Sequence, residues 1–173
     1  MPSTVRPVDP DDSRFGELAD LFDAYRRHYG EPGDAPRTAA WLREQLRTQR
    51  LRAAAAIHTP ADRVAAYHGS TGATVIGFVT TAVLPASLRL ETFWLVRDLF
   101  VAPGHRRVGV ARALLDHAVT RARSAGALRL TLQTEPQNLA ALALYTSAGF
   151  RPVDGVTSLS LPLPGPHPPP SGG

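Results

Sequence analysis

The chain has 173 residues, a length that suits one domain with a core of ordinary size. It contains no cysteine, which excludes a disulfide framework and a thiol nucleophile. The 19 basic residues are all arginine and give a formal net charge of +4, but they are spread along the chain without a basic block, so no nucleic-acid partner is expected. Because no apolar run reaches membrane-spanning length and no signal-peptide core is visible, we expect a cytoplasmic protein with no membrane partner.

The first third of the chain predicts one strand followed by two helices. Residues 4–8 form a short strand candidate, and polar residues 11–13 offer N-caps for a helix that runs to about Tyr29. A second helix is predicted from about Thr38, and it either extends through the alanine run at residues 53–56 or frays there.

The middle of the chain predicts a hairpin and then a central strand. Residues 63–67 and 73–84 have strand patterns and are separated by a glycine-containing turn. Residues 92–101 are apolar in both alternate sets, which is typical of a strand in the middle of a sheet. The alternation assigns one face to Trp94, Val96 and Phe100, and the other to Phe93, Leu95, Leu99 and Val101.

A short loop leads from the central strand into the next helix. Pro103 and Gly104 end the strand, and apolar residues recur at helical spacing from Val110 until Gly126, which suits a left-handed cap. Free N–H groups at a helix start attract anions, and Gly109 has no side chain to keep a phosphate away. The loop therefore predicts a site for a pyrophosphate, which we call the phosphate cradle. Its residues are Arg106, Arg107, Val108, Gly109, Val110, Ala111 and Arg112.

An ordinary surface turn with two solvated arginines is the alternative for this loop. The loop lacks the G-x-G-x-x-G and G-K-[ST] patterns, so phosphates would be held there without a metal ion. The six histidines are scattered without paired ligand spacing, and no metal site is expected elsewhere.

The last third predicts a strand, a helix and two closing strands. Residues 128–132 alternate as in a strand, and a helix runs from Asn138 to Gly149. Short closing strands are predicted at residues 150–153 and 156–163. The remaining residues 164–173 are rich in proline and glycine and predict a disordered tail.

Two motifs resemble a known family. The pattern R-x-x-G-x-A after an apolar strand, here Arg106, Gly109 and Ala111, resembles the acetyl-CoA-binding signature of the GNAT superfamily of N-acyltransferases. The stretch NLAALALYTSAGF from Asn138 to Phe150 is similar to the second half of the family's cofactor site. The segment LFDAYRRHYGEPGD also resembles a branch related to histone and polyamine acetyltransferases.

The resemblance implies an α/β fold for residues 1–163 as a single domain. In the GNAT fold, a strongly bent mixed sheet of six to seven strands is combined with about four helices. The central strands splay apart, and the pantetheine of acetyl-CoA lies between them. The main chain of the central strand that would pair with pantetheine is that of Leu99, Phe100 and Val101.

The resemblance also implies roles for individual side chains. Tyr145 would protonate the departing thiolate, and it shares a helical face with Asn138, whose amide would bind pantetheine. An aromatic wall for the acceptor amine would be formed by Tyr25, His28 and Tyr29. The general base stays open between an ordered water and one of three carboxylates, namely Asp98, Glu91 and Glu135.

The resemblance thus implies an acetyl-CoA-dependent N-acetyltransferase that moves acetyl directly to a primary amine in a ternary complex. The acceptor stays open among polyamine-like molecules, amino acids, aminoglycosides and protein amines, and the acyl group could be longer than acetyl. The alternatives are a non-catalytic acetyl-CoA-binding sensor or interaction module on the same fold, and a nucleic-acid binder with steeply salt-dependent affinity. A homodimer is also expected, because a small domain of this type leaves sheet edges open.

Overall fold

The computed structural model describes residues 3–59, 72–153 and 155–163. Five strands form a single sheet in the order β1-β2-β3-β4-β5, in which neighbours up to β4 are antiparallel and β5 is parallel to β4. The elements are β1 (Ser3–Pro7), α1 (Phe15–His28), α2 (Ala35–Arg47), β2 (Arg52–His58), β3 (Thr74–Ala86), β4 (Glu91–Val101), α3 (Val110–Ser124), β5 (Leu130–Thr131) and α4 (Leu139–Ser147). The predicted mixed α/β class is confirmed, with fewer strands in the described residues than the six to seven expected.

The helices cover both faces of the sheet. One core cluster, which we call the α1 cluster, joins α1 and α2 to the sheet through residues such as Leu18, Leu42 and Phe78. A second, the α3 cluster, joins α3 to the other face through residues such as Leu114 and Val79. Each face of the sheet is therefore closed by a helical layer. Within the described residues, no helix combines the length and the apolar character needed to cross a bilayer.

The alanine run forms a strand rather than a continuation of the second helix. α2 ends at Arg47, and β2 pairs with β1 on one side and with β3 on the other. Ala53 and Ala55 contact the α1 cluster, whereas Ala54 and Ala56 contact the α3 cluster. The prediction of a helical extension is wrong, because burial on both faces and pairing on both edges override the helix propensity of alanine.

A β-bulge interrupts the alternation of β4. The register between β3 and β4 shifts beside Arg97, which has no partner in β3. Val96 and Val101 both contact the α3 cluster, whereas Phe100 contacts the α1 cluster. The prediction that Trp94 and Val96 share a face with Phe100 is therefore wrong, since strict alternation holds only in an unbroken strand.

The central strands β4 and β5 separate after a short paired segment. Their pairing is limited to Trp94 with Leu130 and Leu95 with Thr131. From Val96 to Val101, the edge of β4 that faces β5 has no strand beside it within the described residues. This open edge of β4 (residues 96–101) is the splay that the fold was expected to contain.

The predicted closing strands are not formed. Residues 150–153 and the described part of 155–163 have no strand pairing. Their apolar side chains are exposed, with Leu159 at 90% and Leu161 at 81%. The strand that precedes them in the chain, β5, has only two paired residues. It therefore offers little edge on which a further strand could pair. The predicted strand at 63–67 and the predicted tail at 164–173 lie outside the described residues.

Candidate active site

The phosphate cradle lies where β4 leads into α3. Gly109 is the N-cap residue of α3 and has a φ of 89°, and no side chain caps this helix. Within the described residues, the backbone N–H groups of residues 107–112 have no hydrogen-bond acceptor, since the first bond is from the Ala113 N–H to the Gly109 carbonyl. A run of free donors at a helix start is an anion-binding feature.

Two glycines give the cradle its geometry. A Cβ at Gly77 in β3 would lie 3.0 Å from the Phe100 carbonyl and 3.2 Å from the Val110 side chain, so glycine allows the first turn of α3 to approach the sheet closely. A Cβ at Gly109 would meet nothing within 4 Å. The positive φ, rather than crowding, is what favours glycine at position 109, and the space in front of it is open.

The arginines of this loop have different surroundings. Arg106 donates from Nε to the Val101 carbonyl at 3.0 Å, and its guanidinium lies 5.4 Å from the Phe100 ring centre. Arg112 pairs with Asp116 at 2.9 Å and donates to the Ser147 carbonyl at 3.3 Å, which links α3 to the end of α4. The Arg112 side chain is thus bonded away from the cradle. Arg112 can therefore offer a bound anion only its backbone N–H. Arg107 and Val108 are exposed.

Tyr145 lies on the half-buried side of α4. Its ring packs on Phe150 with centres 6.1 Å apart and contacts the α3 cluster. Burial, with a smaller effect from Tyr29, raises the pKa of the Tyr145 phenol. The phenol therefore stays protonated throughout the neutral range and can act as a proton donor.

Asn138 caps α4 instead of lying within it. Its side-chain oxygen accepts a hydrogen bond from the Ala141 N–H at 3.1 Å, and the residue is exposed. Ala141 and Leu142, on the helical face that Asn138 was predicted to share with Tyr145, are half-buried. Only the NH₂ group of Asn138 is left free to donate to a ligand.

The end of α1 brings the predicted aromatic wall together. Tyr25 and His28 both pack on Phe100 of β4, with ring centres 5.5 and 5.7 Å from it. Tyr29 packs edge-on against Tyr25 at 5.1 Å and is largely exposed. These three side chains thus form one aromatic group against Phe100 of β4, and Tyr29 lies close enough to Tyr145 to affect the pKa of its phenol.

Asp98 is held by two hydroxyl groups. The Tyr25 hydroxyl donates to one carboxylate oxygen at 3.0 Å, and the Thr80 hydroxyl donates to the other. Burial and the nearby Asp98 carboxylate raise the pKa of Tyr25. Thr80 was not predicted as a site residue; its signal was a pair of threonines within an otherwise apolar strand.

The other two candidate carboxylates lie apart from this cluster. Glu91 is the exposed first residue of β4, and at seven residues from Asp98 it is about 23 Å away along an extended strand. The role of Glu91 at the border of the acceptor pocket stays a prediction. Glu135 is exposed in the loop before α4, where its carbonyl accepts the Asn138 N–H.

A cleft of about 290 Å³ opens beside Asp98 on the α1 and α2 face of the sheet. Besides Asp98 it is lined by Phe22, Trp41, Arg50 and Arg97, none of which was predicted as a site residue. The bulge explains why Arg97 lines the same cleft as Asp98, because in an unbroken strand the two side chains would point to opposite faces.

A larger cleft, of about 580 Å³, lies on the α3 face. Its lining includes Arg52, Trp94 and His117, and it contains none of the predicted site residues. Burial lowers the pKa of His117 there. Among the described side chains, no group of three or more metal-ligating residues is arranged to hold a metal ion.

Known proteins share the sequence pattern and the fold of this chain. The sequence profile of the Acetyltransferase (GNAT) family matches residues 18–150. An uncharacterized N-acetyltransferase of Bacillus subtilis (strain 168), YhfO, is 30% identical over 147 residues, which cover 85% of this chain and 90% of that protein. The crystal structure of a probable acetyltransferase superposes with a TM-score of 0.80 at 28% identity and covers 93% of this chain and 98% of that one.

A shorter match covers part of the chain. The [ribosomal protein bS18]-alanine N-acetyltransferase of Escherichia coli (strain K12) is 40% identical over 53 residues, which are 31% of this chain and 36% of that protein.

Proposed function

Because the chain belongs to the GNAT family of acetyltransferases, we propose that it transfers an acetyl group from acetyl-CoA directly to a primary amine in a ternary complex. The observation that carries this proposal is the continuity of the open edge of β4 with the free N–H groups of the phosphate cradle. Asp98 is bonded to Tyr25, which packs with the α1 cluster, whereas Tyr145 packs with the α3 cluster.

The residues present fit acetyl-CoA. The donors of residues 107–112 and the open space at Gly109 suit a pyrophosphate, and the open edge of β4 offers unpaired main-chain groups for the amides of pantetheine. The bound acetyl-CoA supplies a thioester whose carbonyl carbon accepts the amine and whose thiolate leaves. A main-chain N–H of residues 99–101 would stabilise the negative charge that develops on the thioester oxygen.

The side chains around the edge divide the proton transfers. An acceptor ammonium first loses a proton to the Asp98 carboxylate, directly or through an ordered water, and the two hydroxyls hold that carboxylate in place. As the new C–N bond forms and the C–S bond breaks, the Tyr145 phenol would donate its proton to the thiolate. The nitrogen then loses its second proton, which passes through water to the Tyr145 phenolate, and the proton taken up by Asp98 is released to solvent. The products are an N-acetyl amide and the free thiol of coenzyme A.

The test is release of free thiol from acetyl-CoA across a panel of amines, with cofactor affinity measured separately by calorimetry. Release that depends on an added amine, with formation of its acetamide seen by mass spectrometry, is the expected result. Tight binding of acetyl-CoA without thiol release for any amine would contradict the proposal. That outcome would favour the alternative of a non-catalytic acetyl-CoA-binding sensor.

We also propose that the protein forms a homodimer through its C-terminal segment, residues 150–163. Exposed apolar residues at alternate positions, including Leu159 and Leu161, suit pairing with a second copy. Burial of these side chains would remove an apolar surface that a monomer leaves in water.

A further inference from the structure

The cleft beside Asp98 contains charges of both signs. Asp98 and Arg97 both line it because of the β-bulge, and Arg50 reaches it from the segment that precedes β2. Asp98 already accepts hydrogen bonds from two hydroxyls. The lining of this cleft of about 290 Å³ therefore includes one acidic residue and two arginines.

Neither of the two arginines is held in a close ion pair. Within the described residues, neither Arg50 nor Arg97 forms an ion pair or a side-chain hydrogen bond. Arg97 lies close enough to Tyr25 for its charge to act on that phenol, and the charge of Arg50 helps to lower the pKa of Glu44. Guanidinium groups bind carboxylates through paired N–H donors, and no carboxylate of the described residues holds these two at salt-bridge distance.

An aromatic surface forms another wall of the same cleft. Trp41 is 48% exposed although it packs on Phe22, with ring centres 5.9 Å apart. A half-exposed indole next to charged groups suits an apolar side chain of a ligand whose polar end is held elsewhere.

We infer that the acceptor is a free amino acid with an apolar or aromatic side chain. Its ammonium would face Asp98, its carboxylate would bind Arg97 and Arg50, and its side chain would pack on Trp41. A polyamine places only positive charge in this cleft, so it would meet repulsion from both arginines and gain no partner for them. This inference rests on the proposed acetyl transfer and names the class of its acceptor.

The test compares the standard L-amino acids with the amines that correspond to them after loss of the carboxylate, such as phenylalanine with 2-phenylethylamine. In thiol-release assays, we expect kcat/KM to be at least about tenfold higher for phenylalanine. Arg97→Gln should lower kcat/KM about tenfold for phenylalanine and leave the value for 2-phenylethylamine nearly unchanged, because a charge-assisted hydrogen bond to the carboxylate is lost. Arg123→Gln, at the exposed end of α3, is the matched control and should change neither value.

A binding measurement gives a readout that does not depend on turnover. Phenylalanine should change the fluorescence of the half-exposed Trp41, and Arg97→Gln should weaken that response. The other tryptophan, Trp94, is only 3% exposed. Trp41→Phe should abolish the change, which would assign it to this cleft.

Different failures have different meanings. If 2-phenylethylamine or a polyamine is turned over better than every amino acid, and Arg97→Gln alters no ratio, the inference is wrong and the proposed acetyl transfer stands. If no amine releases thiol while acetyl-CoA binds, the proposed function and the inference both fail.

Discussion

Gly109 combines a positive φ with free N–H groups on the residues around it. A β-carbon at this position is strained by the backbone, although the space in front of it is open. Substitution therefore tests two effects, backbone strain and occupation of the phosphate cradle, and these can be separated by the choice of side chain.

We expect Gly109→Glu to abolish acetyl-CoA binding, because it places a carboxylate where the pyrophosphate would lie. Isothermal calorimetry measures the affinity. Gly109→Ala carries the strain without the charge and should keep measurable binding. Gly16→Glu, at an open position in the first turn of α1, is the control and should bind as the wild type does.

The Arg106 side chain should matter less than the backbone of the cradle. Arg106→Ala removes one guanidinium but leaves the N–H donors in place, so the affinity should fall by less than in Gly109→Glu. Unchanged acetyl-CoA affinity in Gly109→Glu would mean that the phosphates bind elsewhere, and the assignment of the cradle would fail.

Tyr145 allows catalysis to be separated from binding. Tyr145→Phe removes the phenolic proton and keeps the ring that packs on Phe150. Turnover should fall by about 10²- to 10⁴-fold while acetyl-CoA affinity changes little, as expected for an interaction made only in the transition state. Steady-state kinetics and calorimetry on the same preparation measure both. An equal loss of affinity would make Tyr145 a binding residue instead.

At the level of elements, a buried carboxylate fixes α1 against α2. Asp23 accepts hydrogen bonds from the Asp34 N–H and the Thr38 hydroxyl, each at 2.9 Å, and pairs with Arg27 at 3.2 Å. The backbone hydrogen bond from Asp34, opposed by burial and aided by Thr38 and the arginines, holds the pKa of Asp23 below its ordinary value of 3.8. Because α1 carries Tyr25 and His28, and Tyr29 caps its C-terminus, this contact also positions the aromatic wall.

A depressed pKa in the folded state predicts acid sensitivity. The stabilising effect of the ionised Asp23 is complete above the unfolded pKa and is lost as the pH falls from about 4 through the lower folded pKa. Asp23→Asn should be less stable than the wild type at pH 7 and should lose less stability below about pH 4. Urea unfolding at both pH values measures this, with Asp20→Asn on the exposed side of α1 as the control. Equal pH slopes in wild type and Asp23→Asn would refute it.

The sequence predicts the segment from β4 through α3 well, because its signals are local. The change from strand to helical periodicity, the glycine at the N-cap and the glycine after the helix all lie within residues 92–126. The second helix begins at Ala35, slightly before the predicted start at Thr38. Its N-cap is Asp34, whose side chain accepts a hydrogen bond from the Arg37 N–H.

The features that the sequence does not predict depend on distant contacts. The alanine run has no period of its own, so only its pairing with β1 and β3 makes it a strand. The bulge at Arg97 depends on the register with β3, which alternation cannot reveal. Trp41, Arg50 and Arg97 come from three separate segments, so their common cleft exists only after folding.

For the whole molecule, the exposed C-terminal segment leads to a prediction about assembly. Light scattering should give a mass near twice the 18.6 kDa of one chain at micromolar concentration. Leu159→Arg should shift the protein toward the monomer, because a charge replaces an apolar contact. Leu88→Arg, on an equally exposed leucine between β3 and β4, should leave the mass unchanged. A wild-type monomer under these conditions would remove the claim.

The open edge of β4 also affects how firmly the sheet is held together. Backbone amides of residues 96–101 that point away from β3 have no strand to shield them within the described residues, so they should exchange with deuterium faster than those of β3. A cofactor that lies along this edge would slow that exchange, and it would raise the melting temperature in proportion to the logarithm of its concentration. In a cell, the lifetime of the folded protein would then depend on the concentration of its acyl donor. Protein without bound donor would unfold more often and be degraded faster than protein with bound donor.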